Sequence, residues 1–167
     1  MDPSLSVLVA EDDESDAFLM QRAFHSFGLM RPPHIVGDGG EAIAYIAGEG
    51  RYSDRMAFPC PALIILDLKM PRVDGFQVLK WLNEHPDFRV IPTIVLSSSA
   101  DPRDVKHSYC LGANGYLCKP SGFADFKEML GKVIAYWDQC VKPPPMEAAP
   151  TCEALKERRP FSGVHPH

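Results

Sequence analysis

The chain has 167 residues, of which 46% are hydrophobic, and a formal net charge of -5 at pH 7. This length suits one domain with a sizeable core, and the composition is that of a globular protein. The acidic charge argues against nucleic-acid binding, no apolar run is long enough to cross a membrane, and five cysteines without a C-x-x-C pair indicate reduced thiols in the cytoplasm.

Strand-like and helix-like segments alternate through the first 140 residues. The predicted strands, in chain order, are SVLVA, HIV, ALIILD, TIVLS and GYLC. Helices are predicted after each strand, with these marks: an N-cap at Asp13, an end at Gly48, a stop at Pro86, a start at Pro102 and an apolar stripe from Phe126 to Trp137. The pattern predicts an α/β fold with a doubly wound, five-stranded parallel sheet in the flavodoxin-like order 2-1-3-4-5.

The C-terminal segment differs from the rest of the chain. Residues 141–167 hold 6 of the 16 prolines and lack a sustained apolar period. We expect residues 1–140 to form the domain and residues 141–167 to be a disordered extension, with CEALKERR at best a short helix.

Polar residues stand at the exits of four predicted strands. Glu11 and Asp12 follow the first strand, and Asp67, Ser97 and Lys119 mark the exits of the third, fourth and fifth. In an open parallel sheet these exits lie along one edge, so we expect the side chains to converge. Clustered carboxylates suit Mg²⁺, and a lysine with a hydroxyl suits a phosphoryl group. Asp67 is then a nucleophile that accepts phosphoryl as an acyl phosphate.

A less specific interpretation exists for each of these residues. A single aspartate at a strand end is more often a helix cap, and a lone serine or lysine is more often a surface residue. For Asp13 and Asp16 we favour the cap. Four polar strand exits together are difficult to explain by capping, which favours a site.

Four segments in order, AEDD, LDLKMPRVDG, VLSSSAD and GANGYLCKP, resemble the receiver domain of two-component response regulators over residues 5–140. The resemblance implies that a histidine kinase or a phosphotransfer protein phosphorylates Asp67. It also implies that Asp12, Asp67 and the backbone carbonyl of Lys69 bind Mg²⁺, with Glu11 assisting through water. Such a protein is a phosphoacceptor that assists its own phosphotransfer and dephosphorylation; it is not an enzyme acting on other substrates.

The same resemblance assigns the switch. Ser97 matches the switch hydroxyl, Tyr116 the switch aromatic ring, and Lys119 the lysine that contacts the phosphoryl group. The bond before Pro120 is expected to be cis by resemblance, whereas sequence alone favours trans.

Two further segments, DGGEAIAYIAGEGRYSD and FADFKEMLGKVIAYW, resemble single-domain regulators associated with phytochromes. This implies a phytochrome-type photoreceptor kinase as the partner. Because no output domain is recognised in residues 141–167, output is expected through partner binding or phosphate relay. We predict a homodimer, or a partner complex, through the face formed by the fourth helix, the fifth strand and the fifth helix.

Three other classes of protein can be compared with this interpretation. A flavodoxin would need a phosphate-binding first turn, and AEDDESD would repel a phosphate. A haloacid-dehalogenase-type phosphatase has its second acid two residues after the nucleophile, where this chain has Lys69. A receiver-like interaction module that works without phosphorylation stays open as the alternative.

Overall fold

A five-stranded parallel sheet forms the centre of the computed structural model, which describes residues 5–28 and 31–141. Its strands are β1 (Val7–Ala10), β2 (His34–Val36), β3 (Leu63–Leu66), β4 (Thr93–Ser97) and β5 (Gly115–Cys118). They pair in the order β2-β1-β3-β4-β5, with every pairing parallel. The predicted α/β fold and strand order are therefore confirmed.

Among the described residues, five α-helices follow the strands, one after each. They are α1 (Glu14–Ser26), α2 (Gly39–Ala47), α3 (Gly75–Glu84), α4 (Pro102–Cys110) and α5 (Phe123–Gln139). The predicted cap of α1 is confirmed, because the Asp13 carboxylate accepts hydrogen bonds from the backbone N–H groups of Ser15 and Asp16. Within the described part of the chain, the helices are all too short or too polar to cross a lipid bilayer.

The three central strands of the sheet, β1, β3 and β4, are buried on both faces. In β1, Leu8 and Ala10 belong to the core under α2 and α3, whereas Val7 and Val9 belong to the core under α1 and α5. β3 alternates in the same way. Two cores need apolar side chains on both faces of each central strand, which explains the continuous apolar runs in the sequence.

The loop from β3 to α3 is held in place from two sides. The Gly75 N–H donates to the Leu68 carbonyl at 3.0 Å, and a Cβ at Gly75 would lie 2.8 Å from the Leu68 Cα, so this close approach requires glycine. On the α2 side, Arg72 has a φ of 63° and its guanidinium forms an ion pair with the Asp38 carboxylate. The segment immediately after β3 is therefore fixed relative to two helices.

Two further expectations concern the bond before Pro120 and the C-terminal tail. The Lys119–Pro120 bond is trans, since no peptide bond between described residues is cis. The cis bond implied by the resemblance was wrong for this structure, and trans is the lower-energy form. The predicted tail, apart from Val141, lies outside the described residues.

Candidate functional site

The carboxyl ends of the strands bring the predicted site residues to one edge of the sheet. Glu11 directly follows β1, Asp67 directly follows β3, and Lys119 directly follows β5. Backbone pairing continues past the strands, because the Asp67 N–H donates to the Ala10 carbonyl and the Lys119 N–H donates to the Ser97 carbonyl, both at 2.9 Å. The parallel pairing therefore fixes where the Asp67 and Lys119 backbones lie at this edge of the sheet.

The Lys119 ammonium lies at the centre of this edge. Its Nζ donates to Glu11 Oε2 at 2.7 Å, to Asp16 Oδ2 at 2.8 Å and to Asp67 Oδ2 at 2.8 Å. The side chains of Lys119, Glu11 and Asp67 are 10%, 0% and 8% exposed. An ammonium has three hydrogens, so three carboxylates satisfy it completely. This ammonium is what makes burial of Asp67 after an apolar strand tolerable.

Burial and charge shift the pKa values of this cluster. Burial raises the pKa of Glu11 from 4.5 to about 7, although the hydrogen bond and charge of Lys119 oppose the rise. Burial alone would lower the pKa of Lys119, but the hydrogen bonds to Asp16, Asp67 and Glu11 raise it above its ordinary value. Lys119 therefore stays charged at physiological pH.

Three acidic residues lie close enough together for their carboxylate oxygens to coordinate one hard cation. Glu11, Asp12 and Asp67 each offer a carboxylate oxygen, and these oxygens lie within 4.8 Å of one another. Asp12 is exposed, which leaves room for the waters that Mg²⁺ retains. The all-oxygen donor set thus fits a hard divalent ion. The Lys69 N–H donates to Asp67 Oδ1 at 3.2 Å, so Lys69 lies at this group, and its carbonyl stays a predicted ligand.

The predicted switch residues are joined through the loop after β4. Ser97 is fully buried, and its Oγ accepts a hydrogen bond from the Ser99 N–H at 3.2 Å. The Tyr116 hydroxyl donates to the Ser99 carbonyl at 2.9 Å. Ser99 Oγ in turn donates to Asp104 of α4 at 2.6 Å. Ser99 thus links the serine at the strand exit to the aromatic ring and to the following helix.

One residue of the cluster was assigned wrongly from the sequence. Asp16 was interpreted as a helix cap, but Asp13 is the N-cap and Asp16 lies inside the first turn of α1, where its carboxylate pairs with Lys119. The available signal was its place one turn after Asp12, on a helix that starts at the site. Both residues could be found in the sequence, since Lys119 was already predicted at this edge, but their pairing across 103 residues could not.

The raised pKa of Glu11 gives the metal-free protein a pH-dependent stability. Between the ordinary pKa of 4.5 and the folded value of about 7, the folded chain holds a proton that the unfolded chain releases. The free energy of unfolding should therefore fall as pH rises through this interval and lose this dependence above it. Glu11→Gln removes the titrating group, so chemical denaturation in EDTA should give a flatter pH profile. Equal slopes for the two proteins would contradict the prediction.

Comparisons with known proteins agree with this geometry. The family model of the response regulator receiver domain matches residues 7–131. Response regulator Rcp1 of Synechocystis sp. is 33% identical over 142 residues, which cover 85% of this chain and 95% of that protein. The probable methanogenesis regulatory protein FilR2 of Methanothrix harundinacea is 33% identical over 134 residues, which cover 78% and 82%.

Solved structures are similar over the same region. The phosphorylated cyanobacterial phytochrome response regulator RcpA gives a TM-score of 0.77 at 32% identity, covering 83% of this chain and 97% of that one. The Mn²⁺-bound form of Rcp1 gives a TM-score of 0.75 at 32% identity, covering 83% and 98%. The similarity thus includes both the sheet and the helices that surround it.

Proposed function

The chain belongs to the response regulator receiver family, and on that premise we propose that Asp67 accepts a phosphoryl group in a Mg²⁺-dependent phosphorelay. The single observation that carries the proposal is the buried Asp67 carboxylate, 2.8 Å from the Lys119 ammonium. Glu11 and Asp12 supply two further carboxylates within reach of one cation. The phosphoryl donor is a histidine kinase or a phosphotransfer protein.

The site residues divide the chemistry between them. An Asp67 carboxylate oxygen attacks phosphorus, and the bond from phosphorus to the donor's imidazole nitrogen breaks, with the electron pair staying on that nitrogen. The Lys119 ammonium donates hydrogen bonds to the phosphoryl oxygens as they approach Asp67. Glu11, Asp12, Asp67 and the Lys69 carbonyl would hold Mg²⁺, which supplies positive charge for the transferring group. Positioning and charge neutralisation therefore account for the rate.

Incubation with phosphoramidate tests the proposal without a partner protein. Intact-mass spectrometry of the full chain should detect one added phosphoryl group in the presence of Mg²⁺ and none in EDTA. The alternative, an interaction module that works without phosphorylation, predicts no addition under either condition. The absence of any mass increase with Mg²⁺ present would therefore reject the phosphoacceptor and favour the module.

Removal of Asp12 should weaken the binding of Mg²⁺. Asp12→Ala deletes one of few direct carboxylate ligands, so we expect the dissociation constant to rise by about tenfold or more, which is ~1.4 kcal/mol of binding free energy. Isothermal titration calorimetry measures this directly. Glu14→Ala is the matched control, because Glu14 is an exposed acid in the next turn. Equal affinities for the Asp12 variant and the unaltered chain would contradict the assignment.

The output is proposed to be a change of surface around β5. A phosphoryl group on Asp67 offers a new acceptor to the Ser97 hydroxyl and draws the loop after β4 inward. The Ser99 carbonyl moves with that loop, and Tyr116 follows because its hydroxyl donates to this carbonyl. We propose that the resulting change on α4, β5 and α5 strengthens a homodimer or a partner complex.

Tyr116→Phe tests this coupling by deleting one hydroxyl. The variant should lose part of the increase in self-association that beryllofluoride and Mg²⁺ produce, by up to about fivefold, because a neutral hydrogen bond contributes ~1 kcal/mol. Sedimentation velocity measures the increase. Tyr45→Phe is the control, since Tyr45 lies on α2, outside the proposed face of α4, β5 and α5. Equal responses of the two variants would show that the Tyr116 hydroxyl takes no part in the switch.

A phytochrome-type kinase is the partner that we propose. RcpA supports this choice, because it is a phytochrome response regulator. FilR2, a probable methanogenesis regulatory protein, is 33% identical to this chain, and Rcp1 is also 33% identical to it. The thiols of Cys110, Cys118 and Cys140 are free, which suits the reducing cytoplasm in which we place the protein.

A further inference from the structure

We propose that Asp16 is a positioning residue for Lys119, which keeps the ammonium over Asp67 when a cation and a phosphoryl group occupy the pocket. The inference rests on the proposed role of Asp67 as phosphoacceptor. It starts from the three hydrogen bonds of Lys119 Nζ, to Glu11, Asp16 and Asp67. The three acceptors differ in whether a bound cation would also use them as ligands.

Two of these acceptors are shared with the metal site. Glu11 and Asp67 belong to the group of carboxylates that could hold a cation, whereas Asp16 does not. A cation in that group therefore competes with the ammonium for Glu11 and Asp67. When Asp67 becomes an acyl phosphate, its carboxylate charge is also lost. Asp16 is then the acceptor that remains for the lysine.

The place of Asp16 suits this task. It lies on the first turn of α1, so a packed helix, and not the loop after β1, fixes its backbone. Its side chain is 32% exposed, against 0% for Glu11, which places it at the outer side of the ammonium. One N–H of Lys119 can stay on Asp16 while the other two turn toward phosphoryl oxygens.

A simpler role for Asp16, the stabilisation of α1 alone, can be tested separately. Acidic residues in the first turn stabilise a helix through its dipole, and α1 has two, Glu14 and Asp16. If Asp16 served only the dipole, removal of Glu14 would have a similar effect. Glu14→Ala is therefore the matched control, since it removes the same charge from the same turn at an exposed position.

The Lys119 ammonium can be observed directly by NMR. In the full chain labelled with ¹⁵N-lysine, a hydrogen-bonded ammonium exchanges its protons slowly and gives a resolved signal, which Lys119→Arg assigns by its loss. Asp16→Ala should speed this exchange by about tenfold with Mg²⁺ bound, since charge-assisted hydrogen bonds are the strong ones. The same variant should bind beryllofluoride about tenfold more weakly. Asp16→Asn keeps an acceptor oxygen without the charge and should fall between Asp16→Ala and the unaltered chain.

The outcomes separate this inference from the proposed function. Backbone amide spectra establish that each variant is folded, and Glu14→Ala should match the unaltered chain in both measurements. Unchanged exchange and unchanged mimic affinity in Asp16→Ala would overturn the inference, as would an equal loss in Glu14→Ala. If the unaltered chain does not bind the mimic, the proposed phosphoacceptor fails instead. Ammonium exchange then still decides whether Asp16 positions Lys119.

Discussion

Asp67→Asn should abolish phosphoryl uptake from both phosphoramidate and a kinase while the fold is retained. The amide has the shape of the carboxylate but lacks the anionic oxygen that attacks phosphorus, so we expect uptake below detection. The amide oxygen can still accept a hydrogen bond from Lys119, which lies 2.8 Å from the carboxylate. Intact-mass spectrometry gives the uptake, and circular dichroism gives the fold.

The matched control for this variant is Asp125→Asn, an exposed aspartate on the first turn of α5. It should take up phosphoryl as the unaltered chain does. Normal uptake by Asp67→Asn would mean that another residue is the acceptor, and the proposal for Asp67 would then be wrong.

Lys119→Met should have the second largest effect, and that effect should depend on the metal. Without its ammonium, the pocket leaves the buried Asp67 carboxylate with no cation, beside the buried carboxyl group of Glu11. Breaking such a buried pair from one side should lower the free energy of unfolding by about 3 kcal/mol in EDTA. Mg²⁺ should restore much of this loss, because it supplies positive charge to the same carboxylates.

The same variant should transfer phosphoryl roughly 100-fold more slowly, the usual loss when one charge-stabilising donor is removed. Lys132→Met is the control for both measurements, because Lys132 forms an exposed ion pair with Glu128 on α5. Exposed pairs contribute little, so we expect no measurable change there. A loss of stability in Lys119→Met that Mg²⁺ leaves unchanged would contradict the shared role of lysine and cation.

The sequence predicted the fold well because its evidence is local. Apolar runs such as LIIL are buried on both faces of the sheet, and Asp13 and Pro102 mark helix starts by their own chemistry. The alternation of five strands and five helices allowed the order 2-1-3-4-5, which is one of the common orders of doubly wound sheets. The convergence of Glu11, Asp67 and Lys119 followed from the general rule for carboxyl ends of parallel strands.

The sequence did not predict how particular side chains and one turn are oriented. Asp16 and Asp13 are both acids near a helix start, and only the packing of α1 beside the exit of β5 decides which of them meets Lys119. The Tyr116 hydroxyl donates to the backbone carbonyl of Ser99, and a backbone partner cannot be identified from the residue types in the sequence. The left-handed backbone of Arg72 is equally hidden, because the segment LDLKMPRVDG predicts a turn but not its dihedral angles.

The register of the central strands also constrains how the chain folds. Val7 of β1 pairs with Leu63 of β3, a distant segment of the chain, so β1 can form this side of its hydrogen-bonded ladder only when that segment is present. Such non-local pairing raises contact order and slows folding. The β1–β3 pairing brings Glu11 and Asp67 together at the ends of these strands, whereas Lys119 follows β5, which pairs with β4. We therefore expect charge repulsion between these two acids to oppose the β1–β3 pairing wherever it forms without Lys119, and divalent cations to favour that pairing.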